Sequence, residues 1–231
     1  MNHNKEKISI KELYKNEIEK IWNDAKIDNT DLIDRGYVVH DEIIKNAILF
    51  IGINPSFPKK NPAPGNHFVN HNENEKLYTY FWKFQEISDK IQQPWAHLDL
   101  LYFRETEQKY IWKLLKENNG VDFVYKQLML SKKMIFKAEP KIIVVSNTMA
   151  KHFMGLHEKK NKINDKGVWM DFDSEFDNNL GTHRLTNTEL KGTPIFFTSM
   201  LTGQRALDNG SFDRLVWHIN FVLEKLSSSN S

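Results

Sequence analysis

The chain has 231 residues, of which 40% are hydrophobic and 27% are charged, and its formal net charge is +2. This balance is typical of one globular domain and is less basic than that of a dedicated non-specific nucleic-acid binder. The sequence contains no cysteine, which excludes disulfides, a cysteine nucleophile, thiolate zinc sites and cysteine-ligated iron–sulfur clusters.

The first predicted element is an amphipathic helix within an N-terminal helical extension at residues 1–45. Apolar residues recur at helical spacing through residues 8–25, and Glu and Lys fill the opposite face. The segment lacks the apolar core of a signal peptide. No apolar run in the chain approaches the ~18 residues of a membrane span. We therefore expect a cytoplasmic protein with no membrane partner.

Four short apolar strands alternate with helices along the rest of the chain. They are predicted at residues 48–53, 96–103, 141–146 and 194–199. The alternation predicts one domain over residues 1–231, with a three-layer α/β/α arrangement around a central, mostly parallel four-stranded sheet. Residues 157–191 are polar and are predicted as an insertion with one short strand at 169–172. Residues 227–231 are predicted as a disordered tail.

Polar side chains follow three of these strands. The first strand runs into Gly52–Ser56 (GINPS), where Pro55 forces a turn because it fixes φ and removes a backbone donor. The second strand ends in the segment 99–104, and the fourth runs into residues 200–205. Parallel sheets bind ligands at the carboxyl edge, so we expect these three loops to share one pocket. The alternative is that each is an ordinary strand-to-loop exit.

The first of these loops resembles a known active-site motif. Gly52–Ser56, placed after a buried strand, resembles the first motif of the uracil-DNA glycosylase superfamily, in its mismatch-specific and single-strand-selective branches. Pro64–Phe68 (PGNHF) resembles the segment that follows in the mismatch-specific branch. The order of the later elements matches as well, apart from the insertion at 157–191. The resemblance implies a monomeric DNA base-excision enzyme that requires no metal and no cofactor.

The resemblance also implies a role for individual residues. Asn54 would be the catalytic residue and would orient the attacking water. The loop at 200–205 would hold DNA or complete the second motif. The residues that would bind or stack on a base flipped out of DNA are Gly52, Ile53, Pro55, Ser56, Phe57 and Phe68. The residues of the second-motif loop are Met200, Leu201, Thr202, Gly203, Gln204 and Arg205.

The second motif departs from the family pattern. The family has His-Pro-Ser or Asn-Pro-Ser after the last strand, whereas this chain has Met200, Leu201 and Thr202. Methionine cannot donate a hydrogen bond to the departing base, and one such donor is worth about 3 kcal/mol. Three functions stay open: a glycosylase for uracil or another deaminated base, a non-catalytic nucleic-acid or nucleotide-binding member of the fold, and a small-molecule nucleoside hydrolase.

Two further residues have two interpretations each. Asp99 either faces the shared pocket or pairs with Arg104. Asn147 either caps the helix that follows the third strand or binds a phosphate there. The nine histidines show no spacing typical of a metal site, so no metal ligand is predicted. The aromatic band at 78–84 is predicted to be core.

Overall fold

The computed structural model of the chain describes residues 6–58, 65–70, 77–155, 169–203 and 206–228. None of the helices within these residues is long and apolar enough to span a bilayer. In chain order the elements are β1 (Lys7–Ser9), α1 (Ile10–Asn23), α2 (Thr30–Asp34), β2 (Val38–His40), β3 (Glu42–Ile44), β4 (Ile48–Gly52), β5 (His67–Val69), a 3-10 turn (Thr79–Phe81), α3 (Trp82–Ile91), β6 (Trp95–Asp99), α4 (Lys109–Leu114), α5 (Gly120–Ala138), β7 (Ile142–Val145), α6 (Thr148–Met154), β8 (Ser174–Asp177), β9 (Thr182–Leu185), β10 (Pro194–Phe197) and α7 (Asn209–Ser228).

The core of the fold is a mixed α/β arrangement around one six-stranded sheet. Its strand order is β6-β4-β7-β10-β9-β8. The four predicted strands, β4, β6, β7 and β10, run parallel to their neighbours among themselves. Strands β9 and β8 continue the sheet in antiparallel fashion beyond β10. The sheet is therefore mostly parallel, as predicted, but the prediction of four strands was wrong by two.

The two additional strands come from the predicted insertion. Strands β8 (SEFD) and β9 (THRL) are short and largely polar, so they lack the apolar run that marked the other strands. The prediction of a strand at 169–172 was wrong: these residues adopt turn and irregular conformations. Met170 and Phe172 are nevertheless buried in the core, which explains why the segment looked like a strand.

The parallel strands are buried on both sides. In β4, Leu49 and Ile51 belong to a hydrophobic cluster that includes residues of α1 and α5. The alternate residues Ile48 and Phe50 belong to a second cluster, which includes residues of α3 and α7. Helices therefore cover both faces of the sheet, and this double burial is the reason for the continuous apolar strands in the sequence.

The N-terminal region contains more than the predicted helical extension. Strands β1 and β3 pair with each other, and β2 pairs in parallel with β5. The backbone N–H of Val38 donates to the carbonyl of Tyr102 at 3.1 Å, which places β2 beside the residues that follow β6. At the other end of the chain, α7 includes residues 227 and 228, which the prediction placed in the tail. Residues 229–231 lie outside the described residues.

Candidate functional site

The strand order places a switch point between β4 and β7 at the carboxyl edge of the sheet, and the space outside it is called the crevice below. From β4 the chain goes on to the parallel strand β6 on one side, and from β7 it goes on to β10 on the other side. Loops that leave adjacent parallel strands in opposite directions open a crevice between them, which is the usual ligand site of such sheets. The crevice lies between the predicted Gly52–Ser56 turn and the residues that follow β7, Ser146 and Asn147.

Hydrogen bonds join the loops after β4 and β6, which are two of the three loops predicted to share one pocket. The Leu101 N–H donates to the Ile53 carbonyl at 2.9 Å. The side-chain amide of Asn54 donates through Nδ2 to the carbonyls of Glu105, at 2.6 Å, and of Pro55, at 3.0 Å. Asn54 is thus anchored by its nitrogen, and within the described residues its Oδ1 accepts no hydrogen bond. A fixed amide with an open acceptor can orient a water molecule.

Gly52 is required by the close approach of Asp99. The two residues are paired in the β4–β6 register. A Cβ atom built on Gly52 would lie 2.2 Å from Asp99 Oδ1 and 3.0 Å from His97 Nε2. Contacts this short do not occur between real atoms, so the aspartate occupies the space that any side chain at position 52 would need. The glycine of the predicted motif therefore places a carboxyl group at the base of the Asn54 turn.

The carboxyl group of Asp99 has unusual electrostatics. Its side chain is only 12% exposed, and burial raises its pKa from 3.8 to about 7, because the charged form loses hydration. A carboxyl group with this pKa can accept or release a proton near neutral pH. Of the two interpretations of Asp99, the structure supports the one in which it faces the site. Arg104 instead donates to the carbonyl of Arg35 at 3.2 Å.

Two histidines extend the site behind Asp99. Nε2 of His97 lies 3.8 Å from Asp99 Oδ1, and its Nδ1 lies 2.9 Å from Nε2 of His40. Both rings are buried, and the His97 ring stacks on Phe84 with centroids 5.5 Å apart. In such a pair one imidazole donates and the other accepts. The three residues therefore form a row of titratable groups that leads from the crevice into the core.

The same three residues are the ones that could hold a metal ion. One ligand atom of each lies within 4.8 Å of the other two. Zinc ligands lie about 2.0–2.2 Å from the ion, so two ligand atoms are at most about 4.4 Å apart. An ion held by Nε2 of His40 would replace the direct hydrogen bond between the two imidazoles. In the observed geometry the two imidazoles are hydrogen-bonded to each other, and Asp99 lies 3.8 Å from His97. Sequence spacing did not indicate this arrangement, since His40 and His97 are 57 residues apart.

Tyr80 and Ser146 close the crevice on the side of β7. Burial, together with the charge of Asp99, raises the pKa of the Tyr80 phenol, and a hydrogen bond with Ser146 partly offsets this. The Ser146 hydroxyl donates to the carbonyl of Ile51 at 3.3 Å. The phenol therefore stays protonated beside Asp99. The prediction that residues 78–84 are core is right for Phe81 and Phe84 but wrong for Tyr78 and Trp82, which are exposed. Tyr80 is 37% exposed as a whole residue, but its ring packs against those of Phe84 and His97.

The aromatic residues predicted to stack on a base have protein partners. The Phe57 ring lies between the guanidinium groups of Arg35 and Arg104, with distances of 4.8 and 5.0 Å to the ring centroid. Phe68 lies in β5 and contacts the ring of Tyr37, with centroids 5.8 Å apart. Within the predicted turn, Ile53 is buried and Ser56 is exposed. The carbonyl of Pro55 accepts from Glu105 N–H at 2.9 Å.

The predicted second-motif loop follows β10, two strand positions from β4. Leu201 is buried in the hydrophobic cluster beneath α3 and α7, so it has a packing role. The carbonyl of Met200 accepts from Leu207 N–H at 3.0 Å, which closes the loop, and Gly203 has a positive φ of 89°. Thr202 is partly exposed. Gln204 and Arg205 lie outside the described residues, as does Pro64 of the PGNHF segment.

The structure also distinguishes between the two interpretations of Asn147. Its side-chain oxygen accepts from the backbone N–H groups of Met149, at 2.8 Å, and Ala150, at 3.3 Å. Asn147 therefore caps α6.

Comparison with protein-family models, curated proteins and solved structures finds no match to this chain. The residues and distances of the site itself therefore carry the functional proposal.

Proposed function

We propose that this chain hydrolyses the N-glycosidic bond of a uracil or other deaminated base in DNA, at the crevice between β4 and β7. One observation carries the proposal: a buried carboxyl group with a pKa of about 7 lies against Gly52, at the base of the Asn54 turn. The resemblance of Gly52–Ser56 to the uracil-DNA glycosylase motif supplies the reaction class. Helices on both faces of the sheet support the three-layer arrangement that this resemblance implies.

The proposed chemistry assigns separate tasks to two side chains. A water molecule attacks the anomeric carbon of the sugar, the C–N bond breaks, and its electron pair leaves with the base. The ionised carboxylate of Asp99 accepts a proton from that water. Asn54, anchored through Nδ2, accepts a hydrogen bond from the water through Oδ1 and orients it. Met200 supplies no donor to the departing base, so the substrate is one whose base leaves easily.

The test is base release under single-turnover conditions. Labelled oligonucleotides would carry uracil, mismatched thymine, hypoxanthine or xanthine, each single- and double-stranded. We expect release from at least one substrate, with a rate that rises with pH through about 7 as Asp99 ionises. Asp99→Asn should lower the rate at least ~100-fold and abolish the pH dependence. Asn54→Ala should also lower it.

The matched control is Asp34→Asn, because Asp34 is an exposed aspartate of α2. This variant should release the base at the parental rate. If Asp99→Asn kept the parental rate and pH profile, Asp99 would not be the base. If no substrate were cleaved by the parent chain, the enzymatic proposal would be wrong.

A second candidate function is nucleic-acid binding without catalysis. The observation in its favour is the second-motif loop, where methionine replaces the donor and Leu201 is committed to the core. This function predicts retained DNA binding with no release of any base. Binding measured beside base release in the same samples separates the two candidates.

A further inference from the structure

A second concave region lies at the far side of the same sheet edge. It is a cleft of about 480 Å³ between β9, the end of β10 and the first half of α7. Its walls include two basic side chains, Lys151 and Arg214, and the exposed ring of Phe176. Hydroxyl groups of Thr198 and Ser211 also line it. The strands β8 and β9, which sequence analysis missed, supply one wall.

The cleft is positively charged because none of its lining residues is acidic. Asp177 pairs with Arg184 at 2.7 Å, whereas Asp208 accepts from the hydroxyl of the lining residue Ser211 at 2.7 Å and places one carboxylate at the rim. Arg214 is exposed and makes no ion pair within the described residues. Lys151 lies 5.3 Å from the centroid of the Phe197 ring. Two cationic side chains therefore line the cleft, and neither is in an ion pair within the described residues.

One phenylalanine ring of the cleft, that of Phe176, is exposed to solvent. Phe176 is 54% exposed, and its ring lies edge-on to that of His183, with centroids 5.6 Å apart. Burial and the charge of Lys151 lower the pKa of His183, so this imidazole is neutral at physiological pH and adds a further flat polar surface. A cationic groove flanked by exposed rings is the usual arrangement of proteins that bind single-stranded nucleic acid.

We propose that this cleft binds the backbone of single-stranded nucleic acid, with Lys151 and Arg214 contacting phosphates and Phe176 stacking on a base. The cleft lies at the carboxyl end of β10, three strand positions from β6, which is about 14 Å at the usual strand spacing. That span corresponds to about four stacked nucleotides. The inference deepens the proposed function by naming the strand state of its substrate, and it rests on that function for the position of the reactive base.

The test measures binding apart from catalysis. Fluorescence anisotropy would report the affinity of the full chain for a short labelled oligodeoxythymidine, which carries no damaged base, over a series of salt concentrations. Each phosphate contact to a single strand contributes about 0.7 to the slope of log K against log salt. Lys151→Gln and Arg214→Gln should each lower the magnitude of that slope by about this amount. Phe176→Ala should lower the affinity about tenfold at every salt concentration.

Two controls make the outcome decisive. Lys11→Gln removes an exposed lysine of α1 and should leave the slope unchanged. Base release by the parent chain, measured in the same samples, shows a failure of the proposed chemistry separately from a failure of the cleft. Unchanged slopes for Lys151→Gln and Arg214→Gln would overturn the proposal. So would tighter binding of a matched duplex that the same two variants weaken, because the cleft would then hold double-stranded DNA.

Discussion

The two ends of the same sheet edge hold their ionisable groups in opposite ways. At β4 and β6, Asp99 and His97 are withdrawn from water, and burial shifts the pKa of the carboxyl group to about 7. At β10 and α7, Arg214 stays exposed to solvent and Lys151 is only partly covered. Burial raises the free energy of a charged group and so shifts its pKa. An exposed charge keeps its hydration, is screened by salt, and can contact a binding partner. The first region is built for proton transfer and the second for binding.

The sharpest difference between the two regions is in the pH dependence of stability. Below about pH 4 Asp99 is protonated in both the folded and unfolded states. Between about pH 4 and 7 the folded state keeps a proton that the unfolded state releases, so the parent chain loses stability as pH rises. The shift from 3.8 to about 7 corresponds to about 4 kcal/mol. Asp99→Asn should therefore gain up to about 4 kcal/mol relative to the parent over this range.

Urea unfolding of the parent and Asp99→Asn at several pH values measures this gain. Asp34→Asn serves as the exposed control, and its difference from the parent should not change with pH. Parallel stability curves for the parent and Asp99→Asn would show that burial does not shift the pKa of this carboxyl group.

A smaller change in stability is expected when a side chain is added at Gly52, where Asp99 fills the adjacent space. Gly52→Ala places a Cβ atom 2.2 Å from Asp99 Oδ1, and relief of such overpacking costs about 1–3 kcal/mol. The double variant Gly52→Ala/Asp99→Ala should recover part of that loss, because the colliding carboxylate is gone. Gly65→Ala is the matched control, since a Cβ atom there has no neighbour within 4 Å. Equal stability of Gly52→Ala and Gly65→Ala would contradict the close approach.

The smallest change in stability is expected for substitutions in the cleft between β9, β10 and α7. Lys151→Gln and Arg214→Gln should each change the free energy of unfolding by less than about 0.5 kcal/mol, because neither side chain is in an ion pair within the described residues. Thermal unfolding monitored by circular dichroism measures this. A loss above about 1 kcal/mol for either variant would show that the side chain supports the fold, and the contrast between the two regions would then be weaker.

The parallel part of the fold was predictable because its strands are buried on both faces. Residues 48–51 and 142–145 are unbroken apolar runs, and they form the central strands β4 and β7 of the sheet. Strands β8 and β9 were not predictable by the same signal, since each has a polar side and no continuous apolar run. Their pairing depends on contact with β10, which local sequence does not record.

The candidate site was predictable only where the backbone itself is unusual. Gly52 and Pro55 mark the turn after β4, and the structure places Asp99 directly against that glycine. The role of Asp99 stayed open in the sequence because its neighbours are set by strand register and not by spacing. His40 lies in a short strand of the N-terminal region, and only the packing of β2 beside β6 brings it to His97. No local pattern signals such a long-range pair.

The β8–β9 hairpin also affects whether copies of this chain associate through their sheet edges. It covers the apolar strand β10, and it ends the sheet in a four-residue strand that carries Glu175 and Asp177. Short, charged outer strands prevent edge-to-edge joining of sheets. At the opposite side, the backbone bond from Val38 to Tyr102 shields the continuation of β6. A chain that lacks residues 174–185 would expose the edge of β10 and would aggregate at concentrations at which the intact chain stays dispersed.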